Sequence, residues 1–136
     1  MKTFITFILG IALLSSCDVY VLEQRVDHRD RIVGNYEMDE YSETYRDYTY
    51  YDMEVSKSAY SHREIYMHNF YGVNIRIYAY VDGNAVTIPY QINNGYEIEG
   101  HGTVYRNELR LNYRVVDVYH GTATDFCDTQ ARRFRY

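Results

Sequence analysis

A regular alternation of apolar and polar side chains limits what the centre of this chain can fold into. Between Val73 and Val81 every odd position is apolar, while the even positions carry Asn, Arg and two tyrosines. Side chains of a β-strand point alternately to its two faces, so this pattern predicts a strand with one buried face. Asp82-Gly83-Asn84 follows directly and is typical of a tight hairpin turn. We therefore expect the chain to turn back into a second strand.

The same pattern recurs along most of the sequence. Further strands are predicted at 36–45, 51–57, 64–70, 85–91, 96–105, 109–115 and 122–135. The segment 44–50 is ambiguous between a turn and a strand. Pro89 has no N–H to donate, which predicts a strand end, an edge or a bulge at that point. Gly100 and Gly102 share one face of their strand and predict a sharp bend there.

Seven or eight strands with short connections predict an all-β domain. Strands that follow one another in sequence pair as antiparallel neighbours, which gives an up-and-down meander. A flat meander of a chain with 18 tyrosines would expose aromatic edge strands and invite aggregation, whereas closure removes the edges. We therefore predict a seven- to eight-stranded antiparallel barrel, with a two-sheet β-sandwich as the alternative.

The N-terminus has the layout of a secretory signal peptide. Lys2 supplies a positive charge, and a mostly apolar run follows from Phe4 to Leu14. A helix of that length reaches roughly 16 Å, whereas a bilayer core of about 30 Å needs about 20 residues. The run is therefore too short for a membrane span and fits the apolar region of a signal peptide, with a buried core helix as the alternative.

Leu14-Ser15-Ser16-Cys17 closes this run and resembles the lipobox, the cleavage and lipidation motif of bacterial lipoproteins. The resemblance implies that the Cys17 thiol carries a diacylglycerol, with acyl chains such as palmitate, and that the membrane is a partner. The predicted organisation is a signal peptide at 1–16, a lipidated cysteine and tether at 17–31, and a β-barrel domain at 32–136. The predicted location is the cell envelope, at the outer membrane, facing the periplasm or the surface.

Charge and cysteine content narrow the possible functions. Removal of residues 1–16 takes away one of the 14 Lys and Arg residues and none of the 19 Asp and Glu residues, so the formal charge changes from −5 to −6. A mildly acidic domain without a basic block argues against nucleic-acid binding. With Cys17 lipidated, Cys127 has no disulfide partner in the chain, and we predict a buried, unreactive thiol.

The start of the first predicted strand carries a motif of a known family. Gly34-Asn35-Tyr36 resembles the Gly-x-Trp motif of lipocalins, with tyrosine in place of tryptophan. The segments 69–72, 80–84, 88–91 and 97–102 are similar in type and order to small calycin-like lipoprotein domains, which are uncharacterised secreted bacterial proteins. This resemblance spans about residues 31–136 and implies a calycin-like barrel. It also implies that Arg132, Arg133 or Arg135 packs over the Tyr36 ring as a cation–π contact.

The sequence contains no Gly-x-Ser-x-Gly, His-Glu-x-x-His, phosphate-binding loop or Cys-x-x-Cys motif. His68 and His101 lie on the outward faces of their predicted strands, and we expect them to face solvent rather than to bind a metal. Glu97 and Glu99 share a strand face roughly 6.5 to 7 Å apart. Glycosidases use such a spacing, but any exposed acidic strand face also provides it. We therefore expect no catalytic residue, no metal and no cofactor.

Two sets of side chains are predicted to bind other molecules. Six inward-facing residues would line the barrel interior: Ile75, Ile77, Ile98, Val104, Leu111 and Tyr113. Five outward-facing tyrosines would form a surface patch or stabilise the sheet through cross-strand pairs: Tyr66, Tyr78, Tyr80, Tyr90 and Tyr105. The expected function is that of a non-enzymatic lipoprotein that binds a small apolar ligand. The alternative is a structural or interaction lipoprotein that binds a protein or glycan through its tyrosine face.

Overall fold

Eight antiparallel strands close on themselves in this protein. A computed structural model describes residues 25–134 of the chain. The strands are β1 (Gly34–Ser42), β2 (Asp47–Lys57), β3 (Glu64–Phe70), β4 (Ile75–Asp82), β5 (Ala85–Asn93), β6 (Tyr96–Tyr105), β7 (Glu108–Asp117) and β8 (Asp125–Arg133). Each strand pairs with its neighbour in sequence, and β1 also pairs with β8, which closes the barrel. The predicted up-and-down barrel is confirmed, and the two-sheet sandwich is excluded.

The ambiguous segment 44–50 divides into a turn and the start of a strand. β1 ends at Ser42 rather than at Tyr45, and β2 begins at Asp47 rather than at Tyr51. The Ser42 side chain closes the turn, because its Oγ accepts a 2.9 Å hydrogen bond from the Tyr45 backbone N–H. The prediction for these boundaries was therefore wrong by a few residues, and β2 is longer than its pattern indicates.

Pro89 interrupts the pairing of β5 on both sides. The register between β5 and β6 shifts between Ile88 and Gln91, so the bulge is the one of the three predicted alternatives that the structure shows. On the other side, the Gln91 amide takes the place of backbone groups in the ladder to β4. Its Oε1 accepts from the Tyr78 N–H at 3.0 Å, and its Nε2 donates to the Tyr78 carbonyl at 2.8 Å. A buried side chain therefore continues a ladder that the proline interrupts.

Inward-facing side chains form one apolar core. The six residues predicted to line the interior all belong to it, and none is more than 4% exposed. Gly100 and Gly102 allow β6 to pass close to β7, because a Cβ at Gly100 would collide with Tyr113 and one at Gly102 with the carbonyl of Arg110. Substitution of either glycine would therefore force the two strands apart.

The two ends of the barrel differ in what fills them. The N-terminal end holds the entering chain, a 3-10 helix (His28–Arg31) and the β2–β3, β4–β5 and β6–β7 turns. The far end holds the β1–β2, β3–β4, β5–β6 and β7–β8 turns. Access to the interior depends on how tightly each end is closed.

Arg29 ties the entering chain across the N-terminal end. This arginine is buried, and its Nη1 donates to the carbonyls of Ser58 at 2.9 Å and Ser61 at 2.7 Å. Its Nε and Nη2 donate to the two carboxylate oxygens of Asp27. The hydrogen bond from Arg29 holds the pKa of Asp27 well below its usual range. Packing against the barrel thus begins at Asp27, within the segment that the sequence assigns to the tether.

Tyr36 completes the closure of the N-terminal end. Its ring is fully buried, and its hydroxyl donates a 2.7 Å hydrogen bond to the Ile32 carbonyl. Burial raises the pKa of Tyr36 to about 12, so the phenol keeps its proton. Arg133 lies opposite Tyr36 in the β1–β8 register and donates to two carbonyls just before β1. Arg132 pairs with a different residue, and Arg135 lies outside the described residues. The Arg133 guanidinium hydrogen-bonds to backbone carbonyls and to Asn107 rather than lying over the Tyr36 ring, so the predicted cation–π contact is wrong for Arg132 and Arg133.

Candidate ligand site at the far end of the barrel

The interior near the far end contains two buried carboxyl groups. Glu40 on β1 is 3% exposed, and Asp125 at the start of β8 is 4% exposed. Among residues 25–134, neither carboxyl forms an ion pair with a Lys, Arg or His side chain. Burial of a carboxylate is costly unless hydrogen bonds replace the lost water. The groups around these two side chains therefore determine what this end can bind.

Three hydroxyl groups converge on one oxygen of Glu40. Its Oε2 accepts from Tyr51 at 2.7 Å, from Thr129 at 3.5 Å and, in the closest contact, from Tyr113. No residue in the described part of the chain donates to the other oxygen, Oε1. Every fully buried side-chain oxygen or nitrogen of the described residues has a hydrogen-bond partner, so Oε1 is not among the fully buried atoms. Glu40 thus keeps one acceptor position for a further donor.

The environment of Glu40 favours its protonated form. Burial raises the pKa of Glu40 above its usual value of 4.5, although the hydrogen bonds from Tyr113 and Tyr51 act in the opposite direction. The nearby Asp125 charge adds to the upward shift. Ionisation of Glu40 is therefore harder in the folded chain than in the unfolded chain.

Glu40→Gln should change how stability depends on pH. A raised pKa means that the folded chain binds the proton more tightly than the unfolded chain does. The wild type therefore loses stability as pH rises from about 4.5 through the folded pKa. The glutamine amide does not titrate and lacks this loss. We expect the unfolding free energy of the wild type, relative to Glu40→Gln, to fall in urea titrations as the pH rises above about 4.5.

Glu37→Gln is the matched control for this experiment, because Glu37 lies on the outward face of the same strand. The ionisable groups that face Glu40 are Tyr51, Tyr71, Tyr113, Asp125 and Cys127. They are unchanged in both variants. A wild-type minus Glu40→Gln difference that stays level or increases with pH would contradict the assignment.

Asp125 holds two turns together across the far end. Ser42 Oγ donates to its Oδ1 at 2.5 Å, and the Tyr71 hydroxyl donates to its Oδ2 at 2.6 Å. Tyr71 belongs to the β3–β4 turn, and strands β1 and β2 lie between β3 and β8 in the barrel wall. The Tyr71 side chain therefore crosses the end of the barrel. Its φ of 58° lies in the left-handed region, which is unfavourable for a bulky residue, so the surrounding contacts must hold it there.

Aromatic rings surround these polar groups. The Phe70 and Tyr113 ring centroids are 4.6 Å apart. Tyr71 packs edge to face against Tyr113 at 6.4 Å and against Tyr96 at 6.2 Å. We call the polar members the acid–tyrosine cluster: Glu40, Ser42, Tyr51, Tyr71, Tyr113, Asp125 and Thr129. The far end thus combines aromatic faces with carboxyl oxygens.

Cys127 lies beside the acid–tyrosine cluster and is buried, as the sequence predicts. Burial raises the pKa of the Cys127 thiol, and the two carboxyl groups raise it further. Burial likewise raises the pKa values of the three tyrosines in the cluster. A protonated thiol and neutral phenols are poor nucleophiles. The far end is therefore better suited to binding than to covalent chemistry.

The residues predicted to bind are only partly those that form this cluster. Of the six predicted lining residues, Tyr113 reaches the cluster, and the other five are apolar side chains of the core. Neither Glu40 nor Asp125 is among the residues that the sequence pattern predicts to bind. The sequence does contain a signal for Glu40. Alternate positions of a strand share one face, and Glu40 follows Tyr36 and Met38 at this spacing, so an acidic side chain is expected on the inward face of β1.

The five predicted surface tyrosines lie on four strands, from β3 to β6. Tyr66 and Tyr78 are opposite each other in the β3–β4 register, and the Tyr78 and Tyr80 ring centroids are 5.9 Å apart. Tyr90 is exposed on β5. Tyr105 ends β6, where the Arg106 guanidinium lies over its ring at 5.3 Å. Three of the five tyrosines are thus direct neighbours on β3 and β4.

A second group of outward-facing tyrosines lies on β1 and β2. The Tyr41 and Tyr48 ring centroids are 4.9 Å apart, and Tyr48 stacks on Tyr50 at 6.5 Å with an interplanar angle of 13°. Both Tyr48 and Tyr50 are exposed. They fall in the segment whose pattern was ambiguous, so the sequence does not indicate which face they occupy.

The outward-facing residues His68, His101 and Glu99 have different neighbours and do not form a shared site. His68 on β3 hydrogen-bonds to Ser56 at 2.9 Å, and β4 and β5 separate it from His101 on β6. Glu99 forms a 2.5 Å ion pair with Arg114. Within residues 25–134, no three His, Cys, Asp or Glu side chains come together as metal ligands. The two histidines therefore do not meet.

No protein-family model matches this chain, and no curated protein matches it either. The predicted signal peptide at 1–16 and Cys17 lie outside the described residues, so their roles stay predictions. Among residues 25–134, no helix combines the length and the apolar character needed to cross a bilayer. The geometry of the barrel is therefore the main basis for a functional proposal.

Proposed function

We propose that this chain is a lipid-anchored protein of the cell envelope whose calycin-like barrel binds a small, largely apolar ligand. The lipobox-like segment ending at Cys17 supports the anchor and the outer-membrane location. The Tyr36 ring at the start of β1, with Arg133 opposite it, supports the likeness to calycins. The protein acts by binding and performs no catalytic step.

The observation that carries this proposal is the difference between the two ends of the barrel. At the N-terminal end, Arg29 and Arg133 fix the entering chain to the neighbouring turns through hydrogen bonds. At the far end, one oxygen of the buried Glu40 receives no hydrogen bond from residues 25–134. The far end instead places polar groups and aromatic rings beside the apolar core, and an eight-stranded barrel is wide enough either to be filled by its own side chains or to hold one small ligand. The ligand enters at the far end, beside the Tyr71 side chain.

The direction of the chain fits this arrangement. The tether reaches the barrel at the N-terminal end, where Asp27 and Arg29 begin the packing. The far end therefore lies on the opposite side of the barrel from the attachment point. A ligand can approach it without displacing the anchor.

Native mass spectrometry tests this proposal on protein that is purified gently from the membranes of its own host. We expect a small molecule to co-purify and to be lost on mild denaturation, and its mass will identify the ligand class. A bare mass from several gentle preparations would contradict the proposal.

The second candidate function is binding of a protein or glycan on the outer surface. The stacked rings of Tyr48 and Tyr50 favour it, because exposed tyrosines supply rigid contact area with a polar tip. Tyr50 also lines a groove of about 670 Å³ together with Glu37, Asp39 and Asp52. A bare mass, combined with a partner whose capture is lost in a Tyr48→Ala/Tyr50→Ala variant, would support this function instead.

A further inference from the structure

We propose that the N-terminal end of the barrel docks on an anionic membrane surface through its exposed arginines and the Tyr60 ring. This inference rests on the proposed function, because it assumes the lipid anchor at Cys17 and names the surface against which the anchored barrel lies. Contact of this kind would fix the orientation of the barrel and leave its far end facing away from the lipid.

The N-terminal end carries positive charges that the protein does not neutralise. Four arginines of the entering chain and of the turns are exposed and form no ion pair within residues 25–134: Arg25, Arg31, Arg63 and Arg106. Lys57 is different, because it pairs with Asp27 and Asp30. The carboxyl groups of this end without an ion pair in the same residues are the exposed Asp82 and the half-buried Glu64. Positive charge is therefore in excess here.

The far end has the opposite charge. Its turns, with the strand residue on either side, contain one Arg or Lys, which is Arg46, and four Asp or Glu residues: Glu43, Asp47, Asp117 and Asp125. Salt screens charges over about 8 Å at physiological ionic strength. An anionic surface therefore responds to the end that approaches it and not to the net negative charge of the chain. Only the N-terminal end is attracted.

One groove at the N-terminal end suits a phosphate group. Arg31, Arg106 and Arg133 line this groove, which has a volume of about 470 Å³. Its carboxyl group, Asp30, is neutralised by Lys57. Guanidinium groups bind phosphate through paired, charge-assisted hydrogen bonds, and the phosphate of a lipid headgroup is such an anion. The groove therefore matches an anionic headgroup in charge and in chemistry.

A second groove at the same end combines positive charge with exposed apolar surface. Arg25 and Arg63 line it together with Asp82 and with Val26, which is 67% exposed. Tyr60, in the β2–β3 turn that also holds Arg63, is 89% exposed, the largest value for a large hydrophobic side chain within residues 25–134. Tyrosine is favoured at the boundary between lipid and water, because its ring is apolar and its hydroxyl is polar.

The tether brings this end to the membrane. Eight residues of sequence lead from Cys17 to Arg25, and a chain of that length spans at most about 29 Å. The chain meets the barrel at the N-terminal end, where Asp27 and Arg29 begin the packing. Each arginine near an anionic surface strengthens binding by about fivefold. Such attraction is reversible, so docking orients the anchored barrel and does not replace the anchor.

Vesicle sedimentation tests this inference on a chain that cannot carry the anchor. The protein begins at residue 17 with Cys17→Ala, so it contains the whole barrel but neither the predicted signal peptide nor a lipid. The vesicles consist of phosphatidylcholine alone, or of phosphatidylcholine and phosphatidylglycerol in equal parts. We expect binding to the anionic vesicles only. This binding should weaken as salt rises from about 0.01 M to about 0.1 M, because the screening length falls from about 30 Å to about 10 Å.

Paired substitutions locate the contact. Arg31→Ala/Arg106→Ala should weaken binding to the anionic vesicles about 25-fold, which corresponds to about fivefold for each arginine. Arg46→Ala/Arg76→Ala is the matched control, because it removes two exposed arginines at or next to the turns of the far end. The control changes the net charge by the same amount and should bind as the parent chain does.

The orientation can be measured because the chain contains no tryptophan. Tyr60→Trp introduces a single tryptophan at the N-terminal end. Tyr119→Trp introduces one at the far end, where Tyr119 is 78% exposed. Anionic vesicles whose phosphatidylcholine has brominated acyl chains quench a tryptophan that contacts the lipid. We expect quenching of Tyr60→Trp and none of Tyr119→Trp.

The outcomes separate this inference from the proposed function. Absence of binding, equal binding to both kinds of vesicle, or equal losses in the two double variants would overturn docking by the N-terminal end. Quenching of Tyr119→Trp alone would overturn it as well. None of these results affects the proposed anchor, because the chain used here lacks the Cys17 thiol. The anchor fails instead if wild-type protein from its own host carries no lipid, and vesicle binding with the expected pattern would support docking even then.

Discussion

Tyr36→Ala is expected to lower the free energy of unfolding by about 3 to 5 kcal/mol, the range for removal of a large buried aromatic side chain. The Tyr36 ring is 0% exposed, so its removal leaves a cavity at the start of β1. The Ile32 carbonyl would also lose the donor that the Tyr36 hydroxyl provides. Domains of this size are stable by about 5 to 15 kcal/mol in total, so the variant should be close to unfolding.

Urea unfolding followed by circular dichroism measures this loss, and two further variants control for it. Tyr36→Phe keeps the ring and should lose only about 1 kcal/mol, the typical net value of one hydrogen bond. Tyr60→Ala removes a ring that is 89% exposed and should change stability by less than about 0.5 kcal/mol. Equal losses for Tyr36→Ala and Tyr60→Ala would contradict the packing at the N-terminal end.

Cys17→Ala is expected to abolish lipid attachment completely. The thiol of Cys17 is the predicted site of the diacylglycerol, and alanine offers no atom for that bond. The apolar run from Phe4 to Leu14 is too short to replace the anchor by spanning a bilayer of about 30 Å. Stable anchoring by lipid takes more than one acyl chain, so loss of the diacylglycerol should remove the protein from the outer-membrane fraction.

Mass spectrometry of the N-terminal peptide and membrane fractionation measure this effect. Cys127→Ala is the matched control, since it removes the other cysteine of the chain and should leave the lipid in place. Retention of Cys17→Ala in the outer-membrane fraction with the wild-type N-terminal mass would contradict the lipoprotein assignment.

Most strands of this fold are predictable because their two faces differ strongly in polarity. β4 alternates buried and more exposed positions from Ile75 to Asp82, as its sequence indicates. The start of β2 is not predictable in this way. Tyrosine is compatible with either face of a sheet, and Tyr50 points outward whereas Tyr51 packs against the core. The β1–β2 turn also lacks the glycine that usually indicates a turn in a sequence. Arg46 adopts the positive φ of 56° there instead.

The acid–tyrosine cluster depends on contacts that only the closed barrel creates. Glu40 meets Thr129 because β1 pairs with β8, and these two strands stand at opposite ends of the domain sequence. Tyr71 reaches Asp125 because the β3–β4 turn crosses the far end. Alternation predicts which face a side chain occupies, but not which strand lies across the barrel from it. Prediction of the cluster would therefore require the strand register and the closure of the barrel, whereas the apolar core can be predicted without them.

NMR mapping can locate a ligand that binds inside the far end of the barrel. Uniformly ¹⁵N-labelled protein would be titrated with 2-phenylethanol, a small and largely apolar probe, while the backbone amide shifts are followed. We expect the largest and saturable changes at the backbone amides of Glu40, Tyr71, Tyr113 and Asp125. Changes confined to the outward-facing residues Tyr48 and Tyr50, with the cluster unaffected, would contradict it.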